Sequence, residues 1–245
     1  MAVAAAYASS SLDPNQTIRT VVSEESGAQA LVDLSDHAAL IVCQRRAVSA
    51  ARRWHSGSTT SRVCAQSDSP VAVIKSGAST ESRSGVVVGV DGRGHSGLAV
   101  DMAWVEAALR GQQLAAVHAW EAPVPRGATG YVPPSDEELE MLEDRAAALL
   151  AEVLADASVG AADVVINSLT IRGPAIGALL EVSRSAALLV VGRHTGHGFG
   201  SLGLGSVARH VFGGALCPVI ITPPSRRTRR NSPRPLREHL FVASR

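Results

Sequence analysis

Short, continuous apolar runs alternate along this chain with longer segments in which apolar residues recur every three or four positions. From residue 85 onward, the apolar runs cover residues 86–91, 114–120, 164–171, 187–191 and 219–221. Runs of this length predict strands buried on both faces, and the spacing between them predicts amphipathic helices. Strict alternation of strands and helices predicts an α/β fold. In this fold a doubly wound parallel sheet is covered by helices on both faces and joined by right-handed crossovers.

Two of the predicted helices have clear end signals. Ser96 can act as the N-cap of the first helix and Gly111 as its stop, and Ser135 with Glu138 has the spacing of a capping box that opens the second. A third helix is predicted over residues 174–183. The apolar residues expected to face the sheet are Leu98, Met102, Val105 and Leu109 in the first helix, Leu139, Leu142, Ala146, Leu149 and Val153 in the second, and Ile176, Leu179 and Leu180 in the third.

The first third of the chain shows a shorter version of the same pattern. A strand is predicted over residues 17–22, a helix over residues 26–35, and two buried strands over residues 38–43 and 70–74. The intervening residues 44–68 are polar and rich in Arg and Ser. Residues 1–16 are predicted to form a disordered leader, and turn-forming residues mark 76–84 as a linker.

A constant offset of 148 residues relates the two parts of the chain. It places residues 30–35 on 178–183, residues 38–41 on 186–189, residues 57–58 on 205–206, and residues 70–71 on 218–219. The same offset over four separated segments predicts an internal duplication. At this offset the front half of the first copy would precede Met1. Residues 17–75 are therefore expected to be a truncated, degenerate half-domain that precedes a complete domain over residues 85–223.

Composition narrows the range of functions. Hydrophobic residues make up 46% of the chain and the formal net charge is +1, which allows a packed core and argues against nucleic acid as a partner. An aromatic content of 3% argues against base-stacking platforms. The three cysteines form no CxxC pair, as is typical of a reducing compartment. No apolar run approaches the roughly 20 residues of a membrane span, and the N-terminus lacks a basic signal-peptide region. These features predict a cytoplasmic location without a membrane partner, and the Arg-rich residues 224–245 are predicted to be a disordered tail.

One stretch carries candidate chemistry. Residues 192–206 read GRHTGHGFGSLGLGS and lie between a buried strand and a segment with helical character. Glycines let the backbone approach an anion closely, and the amides at the start of the next helix can donate to it. The stretch lacks the lysine of a Walker-type loop. A flexible connector is the alternative interpretation of the same glycines.

Several motifs together resemble the universal stress protein family. They are residues 86–92 (VVVGVDG), 117–120 (VHAW), 173–175 (GPA), the 192–206 loop and residues 217–219 (CPV). The resemblance covers residues 85–223 as a full domain and about 17–75 as a degenerate half. The family loop pattern, Gly-x2-Gly-x9-Gly-Ser/Thr, is matched at Gly192, Gly205 and Ser206, whereas Thr195 replaces the second glycine and is followed by Gly196.

This resemblance implies a Rossmann-like, adenine nucleotide alpha hydrolase-like fold with strand order 3-2-1-4-5, binding ATP with or without Mg²⁺. By resemblance, Asp91 would accept hydrogen bonds from ribose or adenine, and Val117 would line the base pocket. The phosphates would lie against the backbone of Gly192, Gly196 and Gly198 and against the amides and hydroxyl of Gly205, Ser206 and Val207. The last strand is the family's usual pairing edge. The resemblance therefore implies either a homodimer or an intrachain pseudo-dimer with residues 71–74 beside 219–221.

Simpler roles remain open for these residues. Asp91 can cap a turn, Ser206 is a better N-cap than nucleophile, and His194 with His197 fits solvated loop residues better than metal ligands. The predicted function is a non-enzymatic, ATP-binding stress-response module with no catalytic residue and no metal site. A weak ATPase or phosphotransferase and an interaction module that binds no nucleotide are the alternatives.

The first copy is not expected to bind nucleotide. At the offset of 148, Gln44, Val48, Ala50 and Arg52 replace Gly192, Gly196, Gly198 and Gly200. The backbone space for phosphate is therefore missing in this copy. It is expected to serve as a cover for the second copy, which would hold the one working site.

Overall fold

The computed structural model describes residues 17–45, 59–75, 83–92, 96–123, 126–127, 130–131, 133–156, 164–194 and 203–224. Its strands are β1 Ile41–Arg45, β2 Val71–Lys75, β3 Val86–Gly89, β4 Leu114–Trp120, β5 Arg126–Gly127, β6 Gly130–Tyr131, β7 Ile166–Arg172, β8 Leu188–Gly192 and β9 Val219–Thr222. Its helices are α1 Gly27–Ser35, α2 Thr59–Gln66, α3 Gly97–Arg110, α4 Asp136–Asp156, α5 Ala175–Val182 and α6 Ser206–Gly214. The predicted leader, residues 76–82 of the predicted linker and residues 225–245 of the predicted tail lie outside the described residues.

Seven strands form one sheet in the order β1-β2-β9-β8-β3-β4-β7, and β5 and β6 form a separate antiparallel pair. From β9 to β7 all neighbouring strands are parallel. Numbered within residues 84–223, these five strands have the order 3-2-1-4-5. The predicted α/β fold and its strand order are therefore confirmed.

The two faces of the sheet carry separate apolar cores because successive strand residues point in opposite directions. Val87, Leu189 and Val191 face α1, α2, α5 and α6. Val88 and Val190 face α3 and α4. Both sets are almost fully buried, and each such side chain contributes about 1.5–3 kcal/mol through its removal from water. Helices on both faces position the loops that follow the strands at one end of the sheet.

Helix α3 turns a different side to the sheet from the one predicted. Its buried residues are Ala99, Val100, Ala103 and Ala107, whereas Val105 and Leu109 are 53% and 78% exposed. The predicted inward face is therefore wrong at Val105 and Leu109, whereas Met102 is partly buried against the core. Alanine side chains let the helix approach the strands more closely than leucine or valine would, and Val100 fills the remaining space.

Helix α4 begins at its predicted capping box and turns its predicted face inward. The Ser135 hydroxyl accepts from the Glu138 amide at 3.2 Å, and the Glu138 carboxylate accepts from the Ser135 amide at 2.8 Å. The predicted capping box is therefore confirmed. Ala146 is buried as expected, with Leu150 as a second fully buried residue of this helix. In α5, Leu179 is buried as predicted.

The four elements α1, β1, α2 and β2, residues 27–75, form what we call the N-terminal unit. The strand predicted over residues 17–22 is wrong: these residues form no strand, and Val22 is 81% exposed. Apolar alternation alone is insufficient there because no neighbouring strand pairs with the segment. Helix α2 lies within residues 44–68, where the sequence analysis predicted no helix. Its Val63 and Cys64 are buried.

The N-terminal unit joins the rest of the sheet through an antiparallel pair. Strand β2 pairs with β9 in the register Val71↔Ile221, Ala72↔Ile220 and Val73↔Val219. The predicted intrachain pairing of residues 71–74 with 219–221 is thus confirmed, and the homodimer stays a prediction.

The N-terminal unit and the segment α5–β9 share the same element order and strand register. Ile41 pairs with Val71 in one and Leu189 with Val219 in the other, which again gives the offset of 148 residues. This agreement supports the predicted duplication. Among the described helices, none is both long and apolar enough to span a bilayer.

Candidate functional site

A cavity of about 340 Å³ lies at the carboxyl ends of β3 and β8. The chain leaves these adjacent strands toward opposite faces of the sheet, and such a crevice is where open α/β sheets bind ligands. The cavity is lined by Gly89, Val90, Asp91, Ser96, Val117, His118, Ala119, Ala175, Leu179, Val191, Gly192, His194, Gly205, Ser206, Val207 and Ala208. Six predicted site residues belong to this lining: Asp91, Val117, Gly192, Gly205, Ser206 and Val207. Gly196 and Gly198, like Thr195 and His197, lie outside the described residues.

Asp91 follows β3 and is held by the buried Ser96. The Ser96 hydroxyl donates to Asp91 Oδ1 at 2.7 Å and accepts from the Asp91 amide at 2.9 Å. The other carboxylate oxygen, Oδ2, lies 3.9 Å from His194 Nδ1, and the Asp91 side chain is 38% exposed. The carboxylate is therefore oriented in advance while part of it remains accessible from the cavity.

Ser96 plays a role that the sequence did not reveal. It occupies the N-cap position of α3, as predicted, but its side chain makes no capping bond to that helix. Its hydroxyl instead closes the turn between β3 and α3 by bonding Asp91. The turn-capping interpretation of Asp91 and its place in the cavity therefore both hold.

His118 is another cavity residue that sequence reasoning missed. Its Nδ1 lies 2.8 Å from the carbonyl oxygen of Val90, which can only accept, so Nδ1 carries the hydrogen. In the neutral ring Nε2 is then an acceptor. The signal in the sequence was the motif VHAW, in which His118 directly follows Val117.

The start of α6 forms another part of the cavity lining. Gly205 is the N-cap and Ser206 the first helical residue, so the prediction of Ser206 as N-cap is wrong by one position. A glycine fits the cap here because the chain approaches another backbone segment. The first amides of a helix have no partner within it, and the helix dipole places a partial positive charge there. This wall can accept an anion.

Gly205 is required by close approach and not by an unusual backbone angle. A Cβ added at Gly205 would lie 2.8 Å from the carbonyl oxygen of His194, closer than real Cβ contacts. Its φ is −54°, which any residue can adopt. The beginning and end of the loop 192–206 therefore touch at His194 and Gly205, and any side chain at residue 205 would separate them.

Arg193 lies between two cavity residues but is itself 7% exposed. Its Nη1 donates to the carbonyl oxygen of Cys64 at 3.1 Å. Burial lowers the pKa of the Arg193 guanidinium, and the nearby Asp68 carboxylate acts in the opposite direction. In the part of the chain that the structure describes, no group of three or more His, Cys, Asp or Glu side chains is arranged to hold a metal ion.

Comparison with known proteins agrees with this architecture. The model of the universal stress protein family matches residues 84–223. A universal stress protein of Mycolicibacterium smegmatis is 34% identical over 210 residues, which cover 85% of this chain and 69% of that protein. The chain belongs to the universal stress protein family.

Two further universal stress protein comparisons extend this result. A universal stress protein of Mycobacterium tuberculosis is 34% identical over 195 residues, which cover 78% of this chain and 61% of that protein. A candidate universal stress protein of Pseudomonas aeruginosa, solved by crystallography, has a TM-score of 0.66 at 16% identity and covers 91% of this chain and 78% of its own. That structure shows the same fold.

Proposed function

We propose that residues 84–223 bind an adenine nucleotide, with ATP as the ligand, and that the protein acts as a nucleotide-dependent regulatory module in the stress response. The observation that carries the proposal is the cavity at the ends of β3 and β8, with a carboxylate on one wall and a helix N-terminus on the other. Its volume falls within the range of about 300–1,000 Å³ that is usual for small-molecule sites.

The wall formed by β3, β4 and α5 suits adenosine. Val117 and Leu179 give it apolar surface, which matches the faces of a purine ring. Asp91 presents an oriented acceptor for the ribose hydroxyls or the exocyclic amine. A hydrogen bond to a charged acceptor is worth about 1.5–3 kcal/mol, so this contact would contribute substantially to affinity.

The wall formed by α6 suits phosphate. Backbone amides at a helix N-terminus bind phosphate oxygens without a lysine. Gly205 keeps this end of the loop close to His194, so the amides of Ser206 and Val207 stay at the cavity. Gly196 and Gly198 would add backbone donors if they lie as the family resemblance implies.

We propose binding without turnover. Phosphoryl transfer requires a base or water-positioning group beside the terminal phosphate. Asp91, the one carboxylate of the described cavity lining, is already engaged by Ser96. Mg²⁺, if bound, would arrive with ATP and be held mainly by phosphates and water.

Isothermal titration of the full chain with ATP, AMP and adenosine tests this proposal. Asp91→Asn should weaken binding of all three by about tenfold or more, since each carries the ribose and adenine. The exposed Asp156, at the end of α4, makes a charge-matched control, and Asp156→Asn should leave affinity unchanged. A wild-type protein that binds none of the three ligands is instead an interaction module. Phosphate release at about 1 s⁻¹ or faster would favour an ATPase.

A further inference from the structure

Two arginines occupy equivalent positions in the N-terminal unit and in the segment α5–β9, which we call the two matched halves. Arg45 ends β1 and Arg193 directly follows β8, and they are separated by the offset of 148 residues that relates the matched strands. Each guanidinium reaches across to the other half. Arg193 donates to the Cys64 carbonyl in α2, and Arg45 donates to the Phe212 carbonyl in α6.

The acceptors are equivalent as well, since the same offset relates Cys64 to Phe212. Between the halves, β2 and β9 pair antiparallel about Ala72 and Ile220, which are themselves separated by the same 148 residues. A local two-fold axis therefore passes through this strand pair and exchanges the two arginine contacts. The contact is reciprocal, as in a symmetric dimer, but is made within one chain.

Both contacts satisfy carbonyls in the last turns of helices, where partners within the helix are lacking and the dipole is negative. Arg45 also donates to the Gly213 carbonyl at 2.8 Å, and its guanidinium lies 5.4 Å from the centre of the Phe212 ring. A buried guanidinium such as that of Arg193 is costly unless it is hydrogen-bonded. Each matched half therefore supplies an arginine whose guanidinium is hydrogen-bonded to a helix end of the other.

Both anchors hold segments that line the cavity at another point of their length. Arg193 stands between Gly192 and His194, which both line it, so the Cys64 contact fixes the start of the loop. Arg45 fixes the carboxyl end of α6, whose amino end forms the anion-facing wall. The adenosine-facing residues have supports of their own: Ser96 orients the Asp91 carboxylate, and Val117 lies within β4.

We propose that the N-terminal unit positions the phosphate-facing side of the cavity, with Arg45 and Arg193 as the positioning residues. This inference rests on the proposed function. It also revises the expectation that the first copy serves only as a cover. Removal of either contact should shift the amides of the loop ends and of α6, while the adenosine-facing wall on β3 and β4 keeps its geometry.

Titration of the full chain with ATP and with adenosine tests the inference in Arg193→Met and Arg45→Met. ATP affinity should fall by about tenfold, while adenosine affinity stays within about twofold, because adenosine lacks the phosphates. Arg62→Met is the matched control: Arg62 lies in α2, is exposed, and bonds Gln29 and Gln66 inside the N-terminal unit. It should change neither affinity. Arg193→Lys, which keeps the charge, should lie between Arg193→Met and the wild type.

Equal losses of ATP and adenosine affinity in the two methionine variants would mean a general structural role and would overturn the inference. Amide hydrogen exchange gives a readout that needs no ligand. Exchange should accelerate in residues 203–214 and stay unchanged in β3 and β4. If the wild type binds no adenine compound, the proposed function fails, and exchange alone decides the inference. Unchanged exchange in residues 203–214 would then refute it.

Discussion

The N-terminal unit and the segment α5–β9 fold alike, yet of the two only the second contributes described residues to the cavity lining. Two pairs of matched positions differ in side-chain size, one near the carboxyl end of the matched strands and one in the first turn of the following helix. Gln44 and Thr60 of the N-terminal unit correspond to Gly192 and Ala208, and the Thr60 hydroxyl donates to the Gln44 carbonyl at 3.4 Å. In the second half the same two positions line the cavity.

This difference separates two kinds of information in the sequence. Apolar residues on alternating sides of β1, β2, β8 and β9 specify the framework, and they are of the same type in both halves. Small residues after the strand specify the open space. A segment can therefore keep its fold while the residues that shape a site change.

The most severe test of this distinction is Gly205→Val. We expect it to abolish ATP binding, because the side chain would meet the His194 carbonyl and push α6 away from the loop. The domain should stay folded, since overpacking of this kind costs about 1–3 kcal/mol. Calorimetry and urea unfolding measure the two effects. Gly27→Ala is the control, because an added Cβ there meets nothing within 4 Å and Gly27, in α1, does not line the cavity. Undiminished ATP affinity in Gly205→Val would contradict the prediction.

A matched pair of leucines sharpens the comparison. Leu31 of α1 and Leu179 of α5 are separated by the common offset and are 2% and 4% exposed. Leu31→Ala and Leu179→Ala should each lower the free energy of unfolding by about 2–5 kcal/mol. Nucleotide affinity should fall in Leu179→Ala alone, because Leu179 also lines the cavity. An equal loss of affinity in Leu31→Ala would show that the loss follows from reduced stability and not from the missing contact in the cavity.

The smallest expected effect concerns the cysteines, which are all buried and free. Burial raises the pKa of the Cys43, Cys64 and Cys217 thiols, so the thiolate that reacts with alkylating agents is suppressed in the folded state. We expect alkylation to require local opening. Cys43 and Cys64 of the N-terminal unit should react about tenfold faster than Cys217, since that unit meets the rest of the sheet along one strand pair. Mass spectrometry of alkylated peptides measures the rates, and faster labelling of Cys217 would reverse the ranking.

Much of the framework follows from the sequence, because continuous apolar runs and capping residues are local signals. The alternation of strands and helices and the Ser135 capping box were predicted in this way, whereas the strand order and the pairing of β2 with β9 were predicted from the resemblance to the family. Helix α3 shows the limit of periodicity. Two stripes with helical spacing run along it, and close packing selected the one with alanines over the one with Val105 and Leu109.

The candidate site was predicted only where a residue type suffices for its role. Asp91 and Gly205 follow from a strand-final acid and a glycine-rich loop. The contacts of Ser96 and His118 depend on how the chain folds back, since His118 bonds a carbonyl 28 residues away. The reciprocal contacts of Arg45 with Phe212 and of Arg193 with Cys64 depend on the two-fold geometry of the β2–β9 pair, which no local pattern encodes.

The covalent connection between the two halves changes how the arginine contacts respond to dilution. Between separate subunits, a reciprocal contact forms by association and is lost as the concentration falls below the dissociation constant. Here both partners belong to one chain, so their effective concentration is set by the connecting segment and not by the amount of protein. The alignment of the loop with α6 is therefore independent of protein abundance.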